Sequence, residues 1–160
     1  MSLYDRLKIF TKFQIILEII TLAVNIGTVV FLISIWGNLP EQIPSHFGAG
    51  GEADAYGGKG SLIFLFIMML VLSLMMFAAA LFPNLWNMPC KITENNSVLA
   101  YRYTRTMMCS LSLIMAALFS YILICSALGR PLGAWFLPVT FAVMLGDIIF
   151  CIVKIVRLPK

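Results

Sequence analysis

Residues 13–36, 61–82, 104–128 and 132–153 form four long stretches with hardly a charge in them. A helix rises about 1.5 Å per residue, so about 20 apolar residues cross a bilayer core about 30 Å thick, and all four stretches pass that test. Lipid offers no partner to backbone N–H and C=O groups, which leaves the helix as the form that satisfies them within one segment. The sequence therefore predicts an all-α integral membrane protein, a single domain over residues 1–160 folded as a four-helix transmembrane bundle. Composition agrees: 61% of residues are hydrophobic and 11% charged, against about 45–50% and about 25% in soluble domains. The first stretch is too long for a signal-peptide core and has no small-residue cleavage site after it, so it is expected to remain as a signal anchor.

The basic residues predict an orientation. Arg6, Lys8 and Lys12 precede the first stretch; Lys91, Arg102 and Arg105 fall between or at the edge of the second and third; Lys154, Arg157 and Lys160 end the chain. Only Lys59 and Arg130 lie on the other side. The positive-inside rule then places both termini and the loop 83–103 in the cytoplasm and the loop 37–60 outside. Topology accounts for the formal charge of +4, and no nucleic-acid partner is implied. Cys90 falls in the inner loop and Cys109, Cys125 and Cys151 in spans, a distribution that suits small packing residues better than a disulfide framework.

Polar residues repeating at helical spacing mark the faces turned away from lipid. In the first span these are Glu18, Thr21, Asn25 and Thr28; in the third Arg105, Cys109 and Ser112, continued by Ala116; in the fourth Thr140, Asp147, Cys151 and Lys154. The second span offers Ser73 among Met68, Met69, Met75 and Met76, a run that suits packing. Glu18 and Asp147 lie at matched depths, roughly 8–11 Å below the inner surface, and are expected to share one pocket. A carboxylate there is costly, up to about 2.5–3.5 kcal/mol at the centre. Arg105 is the obvious counter-charge, and an ion pair between Glu18 and Arg105 is the leading expectation. A proton or cation relay is the rival one.

The loop 39–60, LPEQIPSHFGAGGEADAYGGKG, is unlike its neighbours. It holds the only histidine, His46, with Pro40, Pro44 and a run of glycines that permit unusual backbone angles. Its length marks it as functional or disordered. Trp36, just before it, suits an interfacial anchor. Glu41, His46, Glu52, Asp54, Tyr56 and Lys59 carry its chemistry, and their expected role is to hydrogen-bond the loop into a fixed cap that also receives a ligand. Metal binding is disfavoured because zinc sites usually need three or four ligands and only one imidazole is present.

The inner loop reads as a turn followed by a helix start, with Thr93 as N-cap and Glu94 in the first turn, where a negative charge meets the positive end of the helix dipole. The helix then runs through Tyr101, Arg102 and Arg105 into the third span. Arg102 and Arg105 suit inner-interface anchoring. The glycosylation pattern at Asn95, Asn96 and Ser97 is discounted because it falls on the cytoplasmic side.

The outer loop closely resembles the pattern L-P-x-x-I-P-x-H-F-x-x-x-G-x-x-D-x-Y-G-x-K of a bacterial membrane domain of unknown function, found at the N-terminus of SdpI-type immunity proteins. The matching residues are Leu39, Pro40, Ile43, Pro44, His46, Phe47, Gly51, Asp54, Tyr56, Gly57 and Lys59. Asn87, Pro89, Ile92, Thr93, Glu94, Asn95, Tyr101 and Arg105 are similar to short, stand-alone members. The resemblance implies a multi-pass protein of the bacterial cytoplasmic membrane. For the fuller immunity proteins it implies protection against a secreted peptide toxin, sometimes joined to signalling through a membrane-tethered repressor. This chain has four spans and not their longer C-terminal membrane region.

Three function classes follow. The leading one is a non-enzymatic binding or sensing protein, SdpI-like in immunity or signalling, whose outer loop meets an extracellular peptide or envelope ligand. The second is a small oligomeric proton-coupled transporter using Glu18 and Asp147. A membrane enzyme using His46 and Asp54 is the weakest, because no nucleophile has a base beside it and no phosphate loop or zinc signature is present. The site residues to test are thus His46, Glu52, Asp54, Tyr56 and Lys59 outside and Glu18, Asn25, Asp147 and Arg105 within the membrane, with no catalytic set, metal or cofactor. The expected partners are the lipid bilayer, a secreted peptide, a cytoplasmic or membrane protein, and further copies of the chain.

Overall fold

The computed structural model describes residues 9–159, so Arg6, Lys8 and Lys160 of the charge argument lie outside the described residues. Four helices, α1 (Lys12–Ile35), α2 (Gly60–Leu81), α3 (Ser97–Ala127) and α4 (Phe136–Val156), dominate. All four are long and apolar enough to cross a membrane. Their outward faces carry exposed Phe13, Ile16, Ile19, Phe64, Leu74, Phe141 and Ile149 among others, a surface that lipid suits and water does not.

The chain is not wholly helical. Between α1 and α2 stand two antiparallel strands, β1 (Ile43–Phe47) and β2 (Ala53–Gly57), which correct the all-α expectation. The reason is local: two short runs are separated by a glycine-rich turn, a hairpin signal. Gly48 N–H donates to Glu52 O at 2.9 Å and Gly51 N–H to Gly48 O at 2.9 Å, with Gly51 at φ 82° in the left-handed region. Pro44 is tolerated because each strand of a two-stranded sheet is an edge.

Helix α3 is the centre of the bundle and packs against α1, α2 and α4, whereas α4 rests chiefly on α3. The cause is visible along its buried face: Ala100, Thr104, Cys109, Ser112, Ala116 and Ser120 recur every three to five residues. Small side chains on one stripe let neighbouring backbones approach, which drives helix association where no hydrophobic effect operates. The facing row of α1 is Gln14, Leu17, Thr21, Asn25, Thr28 and Leu32. Thr28 and Ser120 hydroxyls meet across the two helices at 2.6 Å. Bonds of this type contribute about 0.6 kcal/mol each in membranes, so packing carries most of the association.

At the other end from the hairpin, α3 starts at Ser97 with no acidic residue in its first turn, so Thr93 and Glu94 do not cap it. Asn96 organises the corner. Its side-chain oxygen accepts from Thr93 N–H at 2.9 Å, and its amide donates to Lys91 O at 3.2 Å and Pro159 O at 3.0 Å. An amide donates twice while accepting once and so joins the Lys91–Thr93 turn to Pro159, whereas a threonine hydroxyl has a single proton to give. At about 1.5 Å per residue, the 31 residues of α3 exceed the bilayer core, and the surplus suits its polar Ser97–Tyr103 start.

Candidate functional site

The hairpin is fixed to the helices through its backbone. Ser126 Oγ at the end of α3 donates to Pro44 O. Leu132 N–H, in the α3–α4 connection, donates to Gly51 O at 2.8 Å. Ile43, fully buried, packs with Leu32, Leu39, Leu62 and Leu123, and Phe47 packs on Cys125, Leu132 and Phe136. Backbone bonds and apolar plugs hold the cap. Of the polar side chains expected to do so, Glu41, His46, Glu52, Asp54 and Tyr56 are exposed at its surface, and His46 and Asp54 bond one another across the strands.

On that surface His46 Nδ1 lies 2.6 Å from Asp54 Oδ1, with the two side chains 69% and 47% exposed. Register irregularities on both sides of His46, which stands opposite Ala55, bring this pair together; bulges commonly re-aim side chains in this way. Glu52 curls over the turn, close enough that a Cβ on Gly50 would meet its carboxylate. Tyr56 is exposed, while Lys59 is half-buried at the start of α2. His46 and Asp54 form a joined group with the Glu52 carboxylate close by, since a Cβ on Gly48 would lie 3.1 Å from Glu52 Oε1 and 3.4 Å from Asp54 Oδ2. Beneath the strands, a cavity of about 230 Å³ is lined by Ser45, His46, Phe47, Leu65 and Ile122 among others.

The second polar region runs along α1, and here the expected ion pair does not form. Among the described residues the ion pair is His46–Asp54, and none joins Glu18 to Arg105. Arg105, buried, donates from Nη1 to Gln14 Oε1 at 2.7 Å and lies over the Phe10 ring at 4.1 Å. Gln14 sits one turn before Glu18 and is engaged on every side. Its oxygen also accepts from Thr11 N–H at 3.0 Å, and its amide donates to Arg102 O at 3.1 Å and Thr106 Oγ1 at 2.9 Å. The reciprocal Thr11–Gln14 capping box fixes its position. Sequence reasoning missed Gln14, although Thr-x-x-Gln before an apolar run is a recognised helix-start signal.

Glu18 is half-buried and its Oε1 has no hydrogen-bond partner. It lines a cleft of about 280 Å³ between α1 and α2, together with Thr21, Asn25, Ser73 and apolar residues. Asn25 is buried, and its amide donates to Thr21 O at 2.9 Å and reaches Ser73 Oγ at 3.5 Å. Asp147 is not part of that cleft. Its Oδ2 accepts from Ser110 Oγ of α3 at 2.8 Å, so the two acids do not share a pocket. The physical reason is the position of α3, whose Gln14-bonded face and Ser110 turn toward different neighbours. Among the described residues no three His, Cys, Asp or Glu side chains group to hold a metal ion.

Comparison with curated proteins and with solved structures gave no match. The family model of a domain of unknown function (DUF1648) matches residues 23–71, which take in the later half of α1, the hairpin and the first half of α2.

Proposed function

We propose that the protein is a non-enzymatic, multi-pass protein of the bacterial cytoplasmic membrane, SdpI-like in its role, whose hairpin faces outward and receives a secreted peptide or envelope ligand. Both termini and the 83–103 segment are cytoplasmic in this reading, as the distribution of basic residues suggests. The observation that carries it is the contrast within the hairpin. Its backbone is bolted to α3 and to the α3–α4 connection, while His46, Asp54 and Tyr56 remain exposed on it. A rigid mount for free polar and aromatic groups lowers the ordering cost of binding. The structural requirements of the fold would be met by the apolar plugs Ile43 and Phe47 without those three side chains.

The test is a challenge of cells with secreted peptides, comparing wild type with His46→Ala and Asp54→Asn. Reduced protection or response at unchanged membrane abundance supports the reading, and full function in both variants overturns it. A second reading, proton-coupled transport by an oligomer, draws on the unpartnered Glu18 oxygen in the cleft. It predicts loss of coupled flux in proteoliposomes for Glu18→Gln at unchanged stability, and unaltered flux would remove it.

A further inference from the structure

The α1–α2 cleft has a chemical asymmetry. Within it, Thr21 Oγ1 donates to Leu17 O at 2.9 Å, and the Asn25 amide donates to Thr21 O and reaches Ser73 Oγ at 3.5 Å. The contact with Thr21 O also fixes which way Asn25 points, because a carbonyl only accepts. Two acceptor atoms of lining residues, Glu18 Oε1 and Asn25 Oδ1, are buried and without hydrogen-bond partners. Asn25 is only 8% exposed and lines the cleft.

The walls are apolar and open sideways. Leu22, Leu70, Leu74 and Phe77 line the cleft and are 59%, 40%, 66% and 40% exposed. A ligand entering from the bilayer would pass these side chains before meeting the acceptors. Arg105, buried, is held by Gln14 and Phe10 and does not line the cleft. Seven residues separate Glu18 from Asn25, which is two helical turns, or about 10 Å along α1.

We propose that this cleft binds a linear aliphatic primary amine, with its ammonium on Glu18, its chain between the α1 and α2 leucines, and a second hydrogen-bond donor reaching Asn25. An ammonium supplies three donors and the charge that a buried carboxylate lacks. The volume of about 280 Å³ is at or below the low end for drug-sized ligands and suits a slim chain. The site is independent of the hairpin and needs no transport.

The experiment is titration calorimetry on the full chain in lipid nanodiscs, with empty nanodiscs subtracted to remove partitioning into lipid. The probes are 8-amino-1-octanol, octylamine and 1-octanol. The amino alcohol should bind most tightly, octylamine less so, and octanol weaker than octylamine by at least about tenfold, the ratio expected for one charge-assisted hydrogen bond. Glu18→Gln should weaken both amines by at least about tenfold, whereas Asn25→Leu should reduce the amino alcohol to the octylamine level. Leu74→Trp, at the exposed mouth, should weaken both amines without touching either acceptor. Thermal unfolding of each variant verifies folding. Equal octylamine binding by wild type and a folded Glu18→Gln, or equal binding of octylamine and octanol by wild type, overturns the proposal.

Discussion

Replacing Gly51 by alanine tests whether the hairpin is truly fixed to the α3–α4 connection. Gly51 has φ 82°, where a side chain costs about 1–2 kcal/mol. Its added Cβ would also lie 2.6 Å from Gly133 O, 2.7 Å from Gly133 N and 2.8 Å from Gly133 C. These are backbone atoms, so the connection must move, and the Leu132 N–H to Gly51 O bond at 2.8 Å stretches with it. Losing that bond adds about 0.5–1.5 kcal/mol. Together these terms give about 3 kcal/mol against the docked hairpin, or roughly a hundredfold rise in local opening. Hydrogen exchange of the 43–57 and 129–135 segments in nanodiscs reads this directly, since local opening sets amide protection. Gly58→Ala is the control, with nothing within 4 Å of its Cβ, and should stay within about 0.5 kcal/mol of wild type. Protection in Gly51→Ala equal to that in Gly58→Ala would refute the docking argument.

Gln14→Leu leaves the buried Arg105 guanidinium without its acceptor and should destabilise the bundle by about 3 kcal/mol; thermal unfolding in detergent should show a larger loss than for Glu18→Gln, and the reverse order would restore the Glu18–Arg105 pair. Asn96→Ala removes contacts to Thr93, Lys91 and Pro159, at about 2–3 kcal/mol for three bonds, and should appear as faster exchange near the start of α3, with the hairpin unaffected. For topology, Ala55→Cys in intact cells should react with an impermeant maleimide while Cys90 reacts only after permeabilisation; reaction of Cys90 in intact cells would reverse the orientation.

The helices were legible because lipid-crossing segments must be long, apolar and internally hydrogen-bonded, and length alone separates them from strands. The polar row of α1 was readable by spacing: Thr21, Asn25 and Thr28 are all buried. What spacing could not supply was the azimuth of one helix against the next. Glu18 and Arg105 lie at suitable depths, but the guanidinium meets Gln14, which sits a turn nearer the helix start and is fixed there by Thr11. Asp147 failed to join Glu18 for the same reason, since equal depth says nothing about which side of α3 a residue meets. The hairpin had a local signal in its glycine-rich turn between two short runs, but that signal was masked. Pro44 and the glycines read as loop signals, and tertiary contacts from Ser126 and Leu132 help hold the short strands together.

Those two contacts have a mechanical consequence for a protein whose fourth helix packs chiefly on its third. The α1–α2 connection, as a hairpin, bonds both to the last turn of α3 and to the segment leading into α4. Displacing the hairpin therefore acts on two hydrogen bonds placed on either side of the α3–α4 turn. Phe47 adds an apolar contact to Phe136, the first residue of α4, and Tyr121 stacks on the same ring at 5.1 Å. At the far end α4 is tied back through Pro159 to Asn96, and Asp147 holds Ser110 between the two ends. A ligand that pulled on His46 or Asp54 would thus load the seam between α3 and α4 as well as α1 and α2, which the hairpin joins and on which Ile43 packs through Leu32 and Leu62.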